Sequence, residues 1–168
     1  MNAMDTIRMA LQVGDHAMMM LLEDMKDAAL TQPTPRGGNH PLWVLGHITF
    51  IEANLRHVLF GEPNPVAHWA PIFAPGSEPK TDARTYPAFD EVLKTYREHR
   101  TANLKLLEQV GEDDLEKPTT SPPKGLEDAL RTTGQAFLMV ALHQMSHRGQ
   151  LADARRALGK KPVFTPGA

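Results

Sequence analysis

Four stretches of this chain carry apolar residues at three- and four-residue steps, and its proline-rich runs fall between them. That pattern predicts helices. A helix repeats about every 3.6 residues, whereas proline removes a backbone donor and blocks helix continuation. The first stretch, about Met4 to Leu30, has the stripe Ile7, Leu11, Met18, Leu21, Leu22 and Met25. A connection with Pro33, Pro35, Gly37 and Gly38 follows. Asn39 is then the expected N-cap of a second helix, with Pro41 in its first turn and Gly61 as its stop after Phe60. Its stripe is Val44, His47, Ile48, Ile51, Leu55, Val58 and Leu59. Thr85 is the expected N-cap of the third helix, with Pro87 in the first turn and an end near Val110 and Gly111. Its seam is Phe89, Val92, Leu93, Tyr96, Arg100, Asn103, Leu107 and Val110. Arg100 and Asn103 interrupt that seam; contacting a ligand, lining a metal pocket, snorkelling to the edge and pairing with a neighbouring helix are the roles open to them.

The fourth stretch runs from Thr133 to about Leu158, after a connection with Pro118, Pro122 and Pro123 and a short turn near Leu126 to Arg131. Its stripe is Ala136, Met139, Val140, His143, His147, Gln150, Leu151, Ala154 and Leu158. Arg155 and Arg156 suit the C-terminal dipole. A tail from Lys160, with Pro162 and Pro166, is expected to be loosely held. The whole is an all-α, four-helix bundle with long Pro-rich connections, a single domain over residues 1–168.

Glu62 to Arg84 holds Pro63, Pro65, Pro71, Pro75 and Pro79, which excludes a regular helix. His68, Trp69, Ile72 and Phe73 are too apolar for a free linker and are expected to pack back on the bundle, as a lid or as a plain covering loop.

Two histidines four apart on a helix share a face, so His143 and His147 can converge on one ion. In a chain of this length with eight histidines chance gives on the order of 0.4 such pairs, so context decides. The motif is not that of zinc proteases, because Gln144 stands where those have a glutamate. The context is His47, in register with the core stripe of the second helix. Three polar rings on core-facing stripes need partners, and a metal or ordinary hydrogen bonds would supply them. The chain has no cysteine, so any metal must take nitrogen and oxygen ligands. Three imidazoles suit a divalent transition metal, Zn or Ni first, with Fe, Co or Mn as alternatives, and leave a position open for water or substrate. Gln150, one turn beyond His147, is the leading candidate to orient a ligand. Gly149 is expected to allow close helix approach. His16 and His99 read as surface and margin, while His40 and His57 lie elsewhere around their helix. Glu52, five residues after His47, points away from it and offers no base.

A net charge of -2 gives no support for nucleic acid or an anionic membrane as partner. No run approaches the roughly 18 apolar residues of a membrane span, and the N-terminus lacks a signal-peptide core, so a cytoplasmic location is expected.

Two segments give the chain a likeness to a known family. Asn39 through His47 and His143 through Gln150, the latter as His-x-x-x-His-Arg-Gly-Gln, resemble the two motifs of the DinB-like superfamily, also called DinB/YfiT-like metalloenzymes. The resemblance covers essentially the whole chain. It implies a four-helix bundle of DinB/YfiT type, a divalent metal on His47, His143 and His147, and a homodimer. Relatives include thiol-S-transferases and a maleylpyruvate isomerase that use low-molecular-weight thiols, and some are described as hydrolases. The expected function is therefore metal-dependent, thiol-dependent transfer to a small electrophile. Metal-dependent hydrolysis, a non-catalytic metal- or ligand-binding bundle in a stress response, and a purely structural bundle are the alternatives.

Overall fold

The computed structural model describes residues 1–34, 37–161 and 163. It is all-α among those residues, with helices α1 (Ala3–Met25), α2 (Pro41–Phe60), α3 (Ala70–Phe73), α4 (Phe89–Gln109) and α5 (Thr133–Ala157). The expected four long helices are joined by a fifth of one turn, α3, inside the connection where proline had excluded a helix. Pro71 is tolerated there because it sits in the first turn, where its missing N–H has no partner to lose. Single turns of 3₁₀ helix at Ala67–Trp69, Ala83–Thr85 and Glu112–Glu116 complete the connections. Pro35, Pro162 and Pro166 lie outside the described residues, so the expectation for the tail falls largely outside them.

α1 packs chiefly on α5, and α2 packs on both α4 and α5. Asp24 near the end of α1 pairs with Arg155 near the end of α5, and Gly14 meets Gln144 midway, so α1 and α5 run parallel. Asn39, just before α2, meets Gln150, while His47 meets His143, so α2 and α5 are antiparallel. The long connection after α2 carries the chain back across the bundle. Leu42, Leu45 and Ile48 share one core cluster with Val92, Leu93 and Tyr96, while Leu55, Val58 and Leu59 share the other with Leu106 and Leu107. α2 and α4 are therefore parallel.

Several helix ends differ from the sequence reading. α1 stops at Met25 rather than Leu30, and Leu30 instead gives its carbonyl to the N–H of Leu42. α2 is capped by His40, whose Nδ1 accepts from the N–H of Trp43 at 3.0 Å, and not by Asn39. α4 begins at Phe89 with no side-chain cap. Thr85 closes a 3₁₀ turn instead, because Tyr86, preceding Pro87, is held extended at φ -114, ψ 154. α5 begins with a reciprocal box between Thr132 and Gln135.

The buried stripe of α5 is also rotated from the expected one. Phe137, Ala141 and Gln144 are buried, while His143 and Gln150 are only half-buried at the edge facing α2. α5 touches both α1 and α2, so its inward face is broad and centres on Gln144. That side chain is fully enclosed in a polar seam to which each long helix contributes. Gln144 donates through Nε2 to the Tyr96 hydroxyl at 2.5 Å and accepts from Arg100 at 2.7 Å. Tyr96 donates to Asp15 at 2.6 Å. Arg100 pairs with Glu52 at 2.5 Å, and Asn103 donates to the other Glu52 oxygen at 2.8 Å. Of the roles open to Arg100 and Asn103, pairing with a neighbouring helix is the one the structure shows. Burial pushes the Tyr96 hydroxyl far up, so it stays a neutral donor.

Candidate metal centre

His47 sits midway along α2, where the helix is buried on nearly all sides. Trp43, one turn earlier, stacks on its ring with centroids 4.6 Å apart and planes 9° from parallel. Its Nδ1 donates to the backbone carbonyl of Phe73, the last residue of α3, at 2.7 Å. A carbonyl only accepts, so the proton is on Nδ1 and the Nε2 lone pair is free.

His147 is held in a similar way by different means. Its Nδ1 lies 2.9 Å from Gln150 Oε1, which also accepts from Asn39 Nδ2 at 3.1 Å. Asn39 thus bridges the start of α2 to the site instead of capping the helix. Gln150, singled out for its place one turn beyond His147, lies against the Nδ1 of that ring.

His143 completes the cluster. Its Nε2 lies 3.2 Å from His47 Nε2 and 3.1 Å from His147 Nε2. All three residues offer a ligand nitrogen within 4.8 Å of the others. With His47 and His147 both protonated on Nδ1, two lone pairs face His143, whose single Nε2 proton can satisfy only one of them well. A cation at the focus would satisfy all three. At metal–nitrogen bonds of roughly 2.0–2.1 Å, tetrahedral angles put ligand nitrogens roughly 3.3–3.4 Å apart. The observed spacings are within a few tenths of that, so the donor set fits a divalent ion.

Electrostatics favours the ligating form. Burial, opposed by the Phe73 carbonyl and aided by His147, lowers His47 to about 4. Burial and the two neighbouring rings lower His143 to about 4. Burial lowers His147 as well, against the Gln150 bond. All three are neutral at pH 7, and neutral imidazole is what coordinates.

The other histidines lie apart from this cluster. His40 caps α2 and places Nε2 3.0 Å from the Lys80 carbonyl. His57 bonds the Glu62 carbonyl at 2.9 Å. His16 and His68 are exposed, and His99 is half-buried on α4. Glu52 points into the polar seam, as its position five residues after His47 implied. Gly149 does not mediate a close approach, since a Cβ built there meets nothing within 4 Å.

The connection after α2 packs back on the bundle. Phe73 and Trp69 are buried, Ile72 packs partly against the same cluster, and His68 remains outside. Sequence reasoning missed the Phe73 carbonyl, for which a side-chain pattern has no signal. It also missed Trp43 as the platform under His47, though the i, i+4 spacing of the two was there to be read.

No curated protein matches the chain in sequence. A family model described as the DinB superfamily matches residues 10–151, a span that includes His47, His143, His147 and Gln150. That span is well over half of the chain, and with both histidine-bearing helices inside it the chain belongs to the DinB superfamily.

Proposed function

We propose that this protein is a metal-dependent enzyme that transfers a low-molecular-weight thiol to a small electrophilic substrate. The observation that carries the reading is the convergence of three neutral imidazole Nε2 atoms, 3.1 and 3.2 Å apart, with no carboxylate in the cluster. Three protein ligands leave a coordination position for an exogenous group. When bound, a divalent ion supplies Lewis acidity that lowers the pKa of a thiol or water taking that position. Zn or Ni suits the nitrogen set best, with Fe, Co and Mn as further choices.

The chain's own residues hold the ligands. Phe73 and Gln150 fix the proton on the far nitrogens of His47 and His147, and Trp43 screens one face of His47 from water. Hydrolysis asks for a base to move a proton from water, and the nearest candidate by sequence, Glu52, is bound to Arg100 and Asn103 in the polar seam. A thiol is far more acidic than water, so with a divalent ion to hold the thiolate its proton would pass to solvent without a dedicated base. That contrast favours transferase over hydrolase chemistry.

The test is elemental analysis of untagged protein purified without added metal, beside His143→Ala. About one divalent ion per chain, absent from the variant, is the expected result, and turnover in a screen of thiols against electrophiles should follow. Absence of metal after Zn, Ni, Fe and Co have each been offered would sink the reading.

We also read the protein as a homodimer. The outer faces of parallel α1 and α5 carry Met9, Val13, Leu138, Leu142 and Met145, each 36–55% exposed, an apolar stripe that a second copy would cover. Light scattering should return twice the chain mass, falling to one chain in Leu142→Lys. A monomeric wild type would remove this part of the proposal.

A further inference from the structure

We propose that Gly46 and Phe73 form a positioning pair for His47, through which the connection between α2 and α4 sets the geometry of the metal centre. The inference rests on reading the three histidines as a metal site. Gly46 is buried next to His47 on α2, and a Cβ built on it would lie 2.1, 2.2 and 2.4 Å from three atoms of the Phe73 ring. Real Cβ atoms do not approach so closely, and the atoms met belong to a rigid ring. Glycine at this position is therefore a notch cut into α2, and the Phe73 ring is what fills it.

The ring is fixed on its other sides too. Phe73 is fully buried, stacked on Tyr86 at 5.3 Å and edge-on to Trp69 at 5.6 Å. Once the ring is seated, its own backbone has little freedom. Phe73 ends the one-turn helix α3, so its carbonyl has no partner within that helix and is free to accept from outside. It accepts from His47 Nδ1 at 2.7 Å. The turn that follows is tied to the same face of α2, where Trp43 Nε1 donates to Ser77 Oγ at 3.1 Å.

The chain of causes runs from notch to ring, from ring to carbonyl, and from carbonyl to the imidazole proton. Holding the proton on Nδ1 presents Nε2 as a lone pair and fixes the ring's rotation about its attachment to α2. Outer partners of this kind typically govern roughly ten- to hundred-fold in metal affinity. The 62–88 connection is in this account neither a lid nor passive cover. It carries the acceptor that orients one ligand.

The experiment compares wild type, Gly46→Ala, Phe73→Ala and Leu22→Ala. Leu22 is fully buried in the same core cluster but on α1, so its loss reports packing alone. Zn²⁺ affinity is read by competition with a chelator. The His47 tautomer is read in metal-free protein by nitrogen-15 NMR of the imidazoles. Wild type should show His47 protonated on Nδ1. Gly46→Ala and Phe73→Ala should lose that preference and bind Zn²⁺ roughly ten- to hundred-fold more weakly, while Leu22→Ala, destabilised by its cavity, keeps both properties. Folded Gly46→Ala and Phe73→Ala proteins with unchanged tautomer and affinity would overturn the proposal. Should both fail to fold, the wild-type spectrum decides, since a proton on Nε2 of His47 contradicts the carbonyl's role. A wild type that binds no Zn²⁺ yet shows Nδ1–H defeats the metal reading and leaves the hold on His47 standing.

Discussion

At the scale of single residues, the site shows which kinds of information a sequence carries. The spacing of His143 and His147 was legible because two rings four apart on a helix must share a face. His47 was legible because it fell in the apolar stripe of α2. The acceptor for His47 was not, because the Phe73 carbonyl belongs to a backbone that every residue has. Gln144 was left off the expected stripe of α5, which was drawn through His143 and Gln150. Two hydrogen bonds, to Tyr96 and Arg100, let it sit at the centre of the helix's inner face. Gln150 was legible from its place one turn past His147, and it makes the sharper prediction. Gln150→Leu removes the acceptor from His147 Nδ1 at similar volume and leaves all three histidines in place. Metal affinity should fall roughly tenfold, with thermal stability almost unchanged since Gln150 is half-buried. A chelator titration of the two proteins checks this. Equal affinities would show that the Gln150 contact is incidental.

At the scale of elements, proline placed the connections correctly and the caps poorly. The four long helices fall where the three- and four-residue periodicity put them, within about a turn at every end but that of α1, which stops five residues early. α3 and the 3₁₀ turns escaped notice because three to five residues are too few to show a period. The α2 cap moved from Asn39 to His40, and the reason is visible in what each side chain does. Asn39 reaches across to Gln150, while His40 serves two elements at once, accepting from Trp43 N–H and meeting the Lys80 carbonyl. A neutral ring does both, and burial, first among its influences, lowers the His40 pKa and keeps it neutral. His40→Ala should therefore cost about 1–2 kcal/mol in a urea melt, the usual loss of an N-cap together with a side-chain bond. His40→Asn should recover the cap and little of the tie to Lys80. Limited proteolysis should then find the segment near Lys80 more readily cut in both variants than in wild type. If the asparagine variant protected that segment as well as histidine does, the bond to Lys80 would have no part in holding it.

At the scale of the whole molecule, two features depend on how the helices are assembled, and neither could be read from one helix alone. The first is the polar seam. Arg100 and Asn103 stood out in the sequence as interruptions, yet their partner Glu52 lies on α2, and only the parallel pairing of α2 with α4 brings them together. Removing one member of such a buried ion pair leaves a charge without its counterpart. Arg100→Leu should cost about 3–5 kcal/mol, and the double variant Arg100→Leu, Glu52→Leu clearly less than the two single losses added, as chemical melts of all four proteins will show. The second feature is the pH response of the metal-free bundle, which follows from bringing three histidines of α2 and α5 together. His47 and His143 are lowered from 6.5 to about 4 in the folded protein, chiefly by burial. Between those values the unfolded chain takes up protons at these positions and the folded chain does not. Acid therefore favours unfolding across that window. Stability from this source is fully present above pH 6.5, declines as pH falls towards 4, and has no further to fall below that. Urea melts of chelator-treated protein from pH 7.5 to 4 should show the decline, and His47→Phe, which keeps a ring but not a titrating one, should make it shallower, with His143 supplying what is left. With metal present the melts should be steeper in pH still, because protons then also displace the ion from its ligands. A wild type whose metal-free stability is level from pH 7 to 4.5 would mean that the three rings are solvated enough to titrate normally. The same result would remove the electrostatic ground for calling them preformed ligands.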